Sequence, residues 1–162
     1  MNQEKKVEVS KADSSSEFLC IATFLPVRSW FDVILFLRMS LRVERQLKET
    51  DGLIRYALRA NLLRKQFWTL SVWKGRASAN GFVAAEPHAT AVGKFQQWVG
   101  RGAAFVQWNS SDGTIDWNEA LQRLQNPTFY YKGDAVIWNN QPKKCEIEHS
   151  LNYERKQKHI DS

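Results

Sequence analysis

The chain has little cysteine: Cys20 and Cys145 are its only two, and they form no C-x-x-C. That removes a disulfide scaffold and fits a reducing cytosol. Long apolar runs are missing too. None exceeds five residues, as in Val33–Leu37, whereas a membrane-spanning helix needs about 20. Residues 1–16 are polar and lack the apolar stretch of a secretory signal. The expectation is a cytoplasmic protein with no membrane span. Histidine is scarce: His88 lies in the body, His149 and His159 in a polar tail. No second His, Cys or carboxylate stands at ligand spacing from His88, so no metal site is expected. There is no G-x-G-x-x-G, P-loop or G-x-S-x-G, which leaves nucleotide cofactors and serine hydrolysis without support.

What is present is an ordinary globular composition. The 162 residues are 43% apolar and 25% charged, enough for one domain that buries about 70% of its extended-chain surface. The net charge of +6 is uneven, since residues 18–100 hold twelve Lys/Arg against five Asp/Glu. The basic excess lies in the body rather than in a nucleic-acid-binding arm. Arg38, Arg42 and Arg45 share one helical face, but no helix-turn-helix, RNP or zinc-finger pattern accompanies them, and nucleic acid is an unlikely partner.

Along the chain, residues 1–16 read as a disordered lead. Phe18–Leu25 is a strand ended by Pro26. Ser29, with Asp32 three residues on, opens a helix to about Lys48. Trp30, Val33, Ile34, Leu37 and Leu41, widened by Phe36, Val43 and Leu47, are expected on its inner face, with Arg38, Arg42, Arg45 and Gln46 opposite. Leu53–Ala60 alternates: Ile54, Tyr56 and Leu58 on one face, Arg55, Ala57 and Arg59 on the other. In the next strand, Phe67–Lys74, Trp68, Leu70 and Val72 share one face and Phe67, Thr69, Ser71 and Trp73 the other. Large aromatics on both faces predict cover on both sides. A helix over about 78–85 follows, and a second from Pro87 to Gly100 carries His88, Val92, Phe95 and Val99 as one stripe. Ala103–Trp108 is the fourth strand. Asp116 and Glu119 open a short helix to about Gln125, and 128–139 forms a hairpin around Lys132-Gly133-Asp134. From Asn140 on, the chain is polar and poor order is expected.

The order over 18–109 is β-α-β-β-α-β, the ferredoxin-like arrangement. The domain is set at 17–127, with a C-terminal hairpin extension and tail at 128–162. A ferredoxin-like sheet carries helices on one face only, and its bulky second face is expected to be covered by another copy, giving a homodimer.

Phe67-Trp68-Thr69-Leu70-Ser71-Val72-Trp73-Lys74, a following helix with Phe82-Val83, and Glu86-Pro87-His88 carry a family likeness. With Gly52-Leu53-Ile54-Arg55-Tyr56-Ala57-Leu58 before them, they resemble the antibiotic-biosynthesis-monooxygenase-like superfamily of dimeric α+β barrels. The closer likeness is to an uncharacterised bacterial branch similar to spheroidene monooxygenase. The resemblance covers about residues 18–125. It implies a pocket between sheet and helices in which a hydrophobic aromatic or polyene substrate is oxygenated, with no cofactor or with haem. The haem-degrading pattern of a strand-one Asn, a helical Trp and a later His is not kept. Strand one has no Asn, Phe82 stands where that Trp would fall, Val92 lies near the His position, and His88 comes a turn early. Haem would have to bind through His88 in another geometry.

A cofactor-free oxygenase needs an apolar enclosure with a few polar groups to orient the substrate oxygens. Trp73, His88 and Tyr56 are the candidate catalytic residues: a shaped aromatic wall, a neutral base and a hydrogen-bond donor. Phe24, Trp68, Ser71, Phe82 and Arg42 are the candidate substrate-binding residues, with Thr69 a further polar handle. Whether the chain is an enzyme stays open at this point. The alternative is a non-catalytic dimeric module that binds a small apolar ligand or haem.

Overall fold

The computed structural model describes residues 17–133 and 136–138. The lead at 1–16, the turn residue Asp134 and the polar tail, with His149 and His159, lie outside the described residues. Six strands form one sheet: β1 (Phe18–Pro26), β2 (Leu53–Asn61), β3 (Gln66–Trp73), β4 (Ala104–Ser110), β5 (Phe129–Tyr131) and β6 (Val136–Trp138). Their order is β2-β3-β1-β4-β5-β6, and every pairing is antiparallel. The first four strands have the ferredoxin-like order. The C-terminal hairpin continues the sheet past β4.

α1 (Trp30–Glu49) starts where the sequence places it. The Ser29 hydroxyl accepts from the Asp32 amide at 3.1 Å and donates to the Asp32 carboxylate at 2.7 Å, a cap that stabilises the helix by about 1 kcal/mol. Thr50 closes it, and Gly52 turns the chain at φ +84°, where a Cβ would run into Ser78. α2 (Arg76–Ala84) follows β3. The single helix expected from Pro87 to Gly100 is instead two short ones, α3 (His88–Gly93) and α4 (Phe95–Trp98), broken at Lys94. Gly93, a weak helix former, stands at the break. As a result Val92 turns outward, 53% exposed, while Val99 is buried. α5 (Trp117–Leu124) is capped by Asp116, which accepts from the Asn118 amide at 2.8 Å. Glu119 pairs with Arg123 rather than reaching back to close a capping box.

The sheet has two different faces. Leu19, Trp73 and Phe82 pack with Leu47, Val43 and Tyr56 on the side of α1 and α2. On the other side Cys20, Ala22, Phe24, Trp68, Leu70, Val72, Ala104 and Val106 form the main core with Ala120 and Leu124 of α5. The chain packs its own α5 on the second sheet face, against β1 and β4. This is the face on which a second copy was expected from the sequence.

Two further expectations change. β2 carries an irregularity between Leu53 and Arg55, so Ile54 packs on the α5 side rather than beside Tyr56. In α1 the buried residues are Val33, Met39 and Leu47, with Phe36 and Val43 half-buried against the core. Trp30, Ile34, Leu37 and Leu41, expected inward, are 55%, 60%, 39% and 58% exposed. The helix has two apolar stripes, and periodicity alone merges them into one.

Candidate functional site

The pairing register lays out the helix-side face of the sheet row by row. Ile21 lies opposite Ser71 and Gln107, and Tyr56 opposite Ser71. Thr23 lies opposite Thr69 and Phe105. Ile21, Thr23, Thr69, Ser71, Phe105 and Gln107 are all half-buried. The middle of this face is polar and within reach of solvent, and its hydroxyls are paired. Thr23 and Thr69 share a hydrogen bond at 2.7 Å, and the Trp73 indole N–H donates to the Ser71 hydroxyl at 2.9 Å.

From this strip an aromatic row leads outward. Trp73, fully buried, lies 5.3 Å from Phe82, and Phe82 lies 4.5 Å from His88, measured between ring centres. His88 Nδ1 is buried without a hydrogen-bond partner among the described residues. Burial holds the imidazole pKa below its ordinary value, and the Val83 carbonyl partly opposes this. The result is a neutral ring with one nitrogen unengaged.

Gln46 holds this row in place. Its amide nitrogen donates to the carbonyls of Phe82 at 3.0 Å and Ala85 at 3.2 Å, and its carbonyl oxygen accepts from the His88 amide at 3.0 Å. It thus caps the end of α2 and ties the start of α3 to α1. Sequence reading put Gln46 on the solvent side of α1, because its partners lie about 40 positions away and leave no local signal. An open cleft of about 570 Å³ runs between α1 and the α2–α3 junction, lined by Arg42, Arg45, Gln46, Glu49, Phe82 and Pro87 among others.

The structure therefore brings Trp73, Ser71, Phe82 and His88 together, with Arg42 and Phe82 sharing the cleft. It does not bring in Phe24 and Trp68, whose rings pack tilted, 5.2 Å between centres, on the α5 side within the closed core. Tyr56 faces the right side, but its hydroxyl donates to Glu44 at 2.9 Å. The Lys48 ammonium and then this hydroxyl hold the Glu44 carboxyl below the usual range. As it stands, His88 is open neither to haem nor to any other ligand in the cleft. The imidazole packs on Phe82, the Val83 carbonyl faces it, and the residue is absent from the cleft wall. Among the described residues no group of three or more His, Cys, Asp or Glu is placed to hold a metal ion. None of the described helices is long and apolar enough to cross a membrane. Cys20 is buried, and burial followed by the charge of Glu119 raises its thiol pKa, so it is no reactive nucleophile.

The chain has the ferredoxin-like α+β fold seen in antibiotic biosynthesis monooxygenases. No protein-family profile and no curated protein matches it. Among solved structures it is similar to an antibiotic biosynthesis monooxygenase at 13% identity and TM-score 0.51, over 57% of this chain and 97% of that one. A candidate antibiotic biosynthesis monooxygenase from Nitrosomonas europaea matches at 13% identity and TM-score 0.53, over 60% and 94%. A conserved protein from Methanosarcina mazei matches at 13% identity and TM-score 0.51, over 58% and 93%. At these identities the likeness is one of fold.

Proposed function

We propose that the chain is a monooxygenase-like protein that holds a flat, hydrophobic, oxygen-bearing aromatic or polyene substrate against the helix-side face of the sheet. The observation that supports this best is the row Trp73–Phe82–His88, which ends on a buried imidazole nitrogen with no partner among the described residues. In the cofactor-free form, that nitrogen takes a proton from an acidic carbon next to the substrate carbonyl or phenol. The carbanion gives its electrons to O₂, and a carbon–oxygen bond forms. Protonation yields a hydroperoxide, whose loss of water leaves a new carbonyl, so that one O₂ supplies the inserted oxygen and the water. Ser71 and Thr69 orient the substrate oxygen, Trp73 walls one side of its ring, and Arg42 attracts a substrate anion at the cleft mouth. Phe82 must swing aside, since it stands between the cleft and the imidazole.

A second reading is favoured by the same wall. With Nδ1 sealed behind Phe82 and no carboxylate of the described residues bonded to the ring, the chain would bind a small apolar ligand without turning it over. Oxygen uptake with a panel of quinols, anthrones and polyenes separates the two. Uptake by the wild type that falls at least tenfold in His88→Ala supports the oxygenase. Saturable ligand binding with no uptake supports the binding module, and unchanged uptake in both His88→Ala and Trp73→Phe removes this site.

A further inference from the structure

The outer stripe of α1 has no role in the site above. Trp30, Ile34, Leu37 and Leu41 recur at 4-3-4 spacing along its exposed side, and Phe31 beside them is 70% exposed. The stripe continues onto the β2–β3 hairpin. Lys65 places its ammonium 5.5 Å from the Trp30 ring centre, and its carbonyl accepts from the Val27 amide at 2.7 Å. The same tight loop presents Leu62 and Leu63, 54% and 89% exposed. At about 150–250 Å² for a whole aromatic side chain, and less for Leu or Ile, these exposed fractions amount to several hundred Å². Soluble monomers seldom expose a contiguous apolar patch above about 300–600 Å².

The charge around the patch is predominantly positive. Arg28, Arg38, Arg42 and Arg45 are exposed beside it, and Lys65 lies within it. Three acids share the helix: Asp32 accepts from Ser29, Glu44 is held by Lys48 and Tyr56, and Glu49 lines the cleft together with Arg42 and Arg45. A second copy docked here would set these cations against their own duplicates. A surface of anionic phospholipid complements them instead. An amphipathic helix with Trp, Phe, Ile and Leu on one side and arginines along the flank is the arrangement that lies in a bilayer interface. The protruding Leu63 adds a second insertion point, and Trp30 suits the headgroup boundary.

We infer that the exposed side of α1 and the 62–65 hairpin dock the protein on an anionic membrane surface, with the helix lying in the plane of the interface. The test is flotation of the full chain with vesicles of phosphatidylcholine alone and with 30% phosphatidylserine added. The wild type is expected to float with the anionic vesicles and at least tenfold less with the neutral ones, and rising salt should weaken the binding. Phe31→Ser with Leu63→Ser, both on side chains mostly in solvent already, should lower partitioning about tenfold or more at unchanged melting temperature. Arg38→Glu with Arg45→Glu should do the same without touching the apolar groups. Equal flotation by wild type and both variants, or no flotation of the wild type, overturns the proposal. So does light scattering without vesicles, if it finds a dimer that Phe31→Ser with Leu63→Ser converts to a monomer, since the stripe is then a self-interface.

Discussion

On the α5 side of the sheet, Ala22, Leu70 and Val72 are 0%, 1% and 0% exposed. One residue further along the same strands, Thr23, Thr69 and Ser71 face α1 and are half-buried. The strands are shared, so the difference belongs to what each face meets. The α5 face meets Ala120 and Leu124, which bring no polar groups and leave close apolar packing. The helix-side face meets α1, whose buried residues Val33, Met39 and Leu47 are spread along its length. The hydroxyls between them pair with one another or with an indole N–H. A closed apolar core makes the fold rigid, and a half-open strip of satisfied polar groups is where a ligand can enter without unfolding anything. The candidate site is therefore read on one face and stability on the other.

The sharpest way to break this division is a truncation on the closed face. Trp68→Ala removes a ring that is 1% exposed and packed against Phe24. It should cost about 3–5 kcal/mol in urea unfolding. Trp68→Phe should cost clearly less, because it keeps a ring and removes an indole N–H that has no hydrogen-bond partner. A loss below about 1 kcal/mol for Trp68→Ala would mean that the α5 face is not the core of the molecule.

Next in size is Gln46→Leu, which deletes the clamp between α1 and the α2–α3 junction. Two carbonyls and one amide lose their partners, and about 1–3 kcal/mol is expected. Amide exchange should speed up at His88 and Ala85 before it does in β1 or β3. Uniform acceleration across the sheet would contradict a local clamp. Smaller again is Ser71→Ala, which strands the Trp73 indole N–H and should cost about 1–2 kcal/mol. If ligand binding also weakens more than stability accounts for, the polar strip takes part in recognition. If the two fall in proportion, Ser71 only supports Trp73.

Much of this was legible in the sequence, and the omissions have physical causes. The Ser29 cap, the strand alternation of β3 and the β-α-β-β-α-β order follow from local rules, and the structure keeps them. The placement of Trp73 opposite Trp68 follows from the two-residue strand period. The bulge that moves Ile54 does not, because a one-residue slip leaves the apolar pattern nearly intact. The helix α1 misleads for another reason. It is apolar on two sides, and a sum over its turns reports one broad stripe without saying which half meets the core. Gln46 was hidden because its partners are carbonyls of Phe82 and Ala85, and any residue type offers a carbonyl. Likewise only the packing reveals that α5 sits on the second face of the sheet.

The smallest effect tests His88, and its sign follows from burial. The imidazole pKa is held below its ordinary value in the folded chain, while the unfolded chain titrates near about 6.5. Between those two values the unfolded state binds more protons, so folding stability falls as pH drops. The contribution is fully present above about 6.5 and fully lost only below the depressed folded value. His88→Gln keeps the size and polarity but cannot charge. Urea midpoints measured at pH 7.5 and 5.0 should therefore fall more in the wild type than in His88→Gln, while His149 and His159 contribute equally to both. Parallel falls would mean that the ring is reached by water and screened. That would place it outside the enclosed row of Trp73 and Phe82, and it would remove the neutral base from the site.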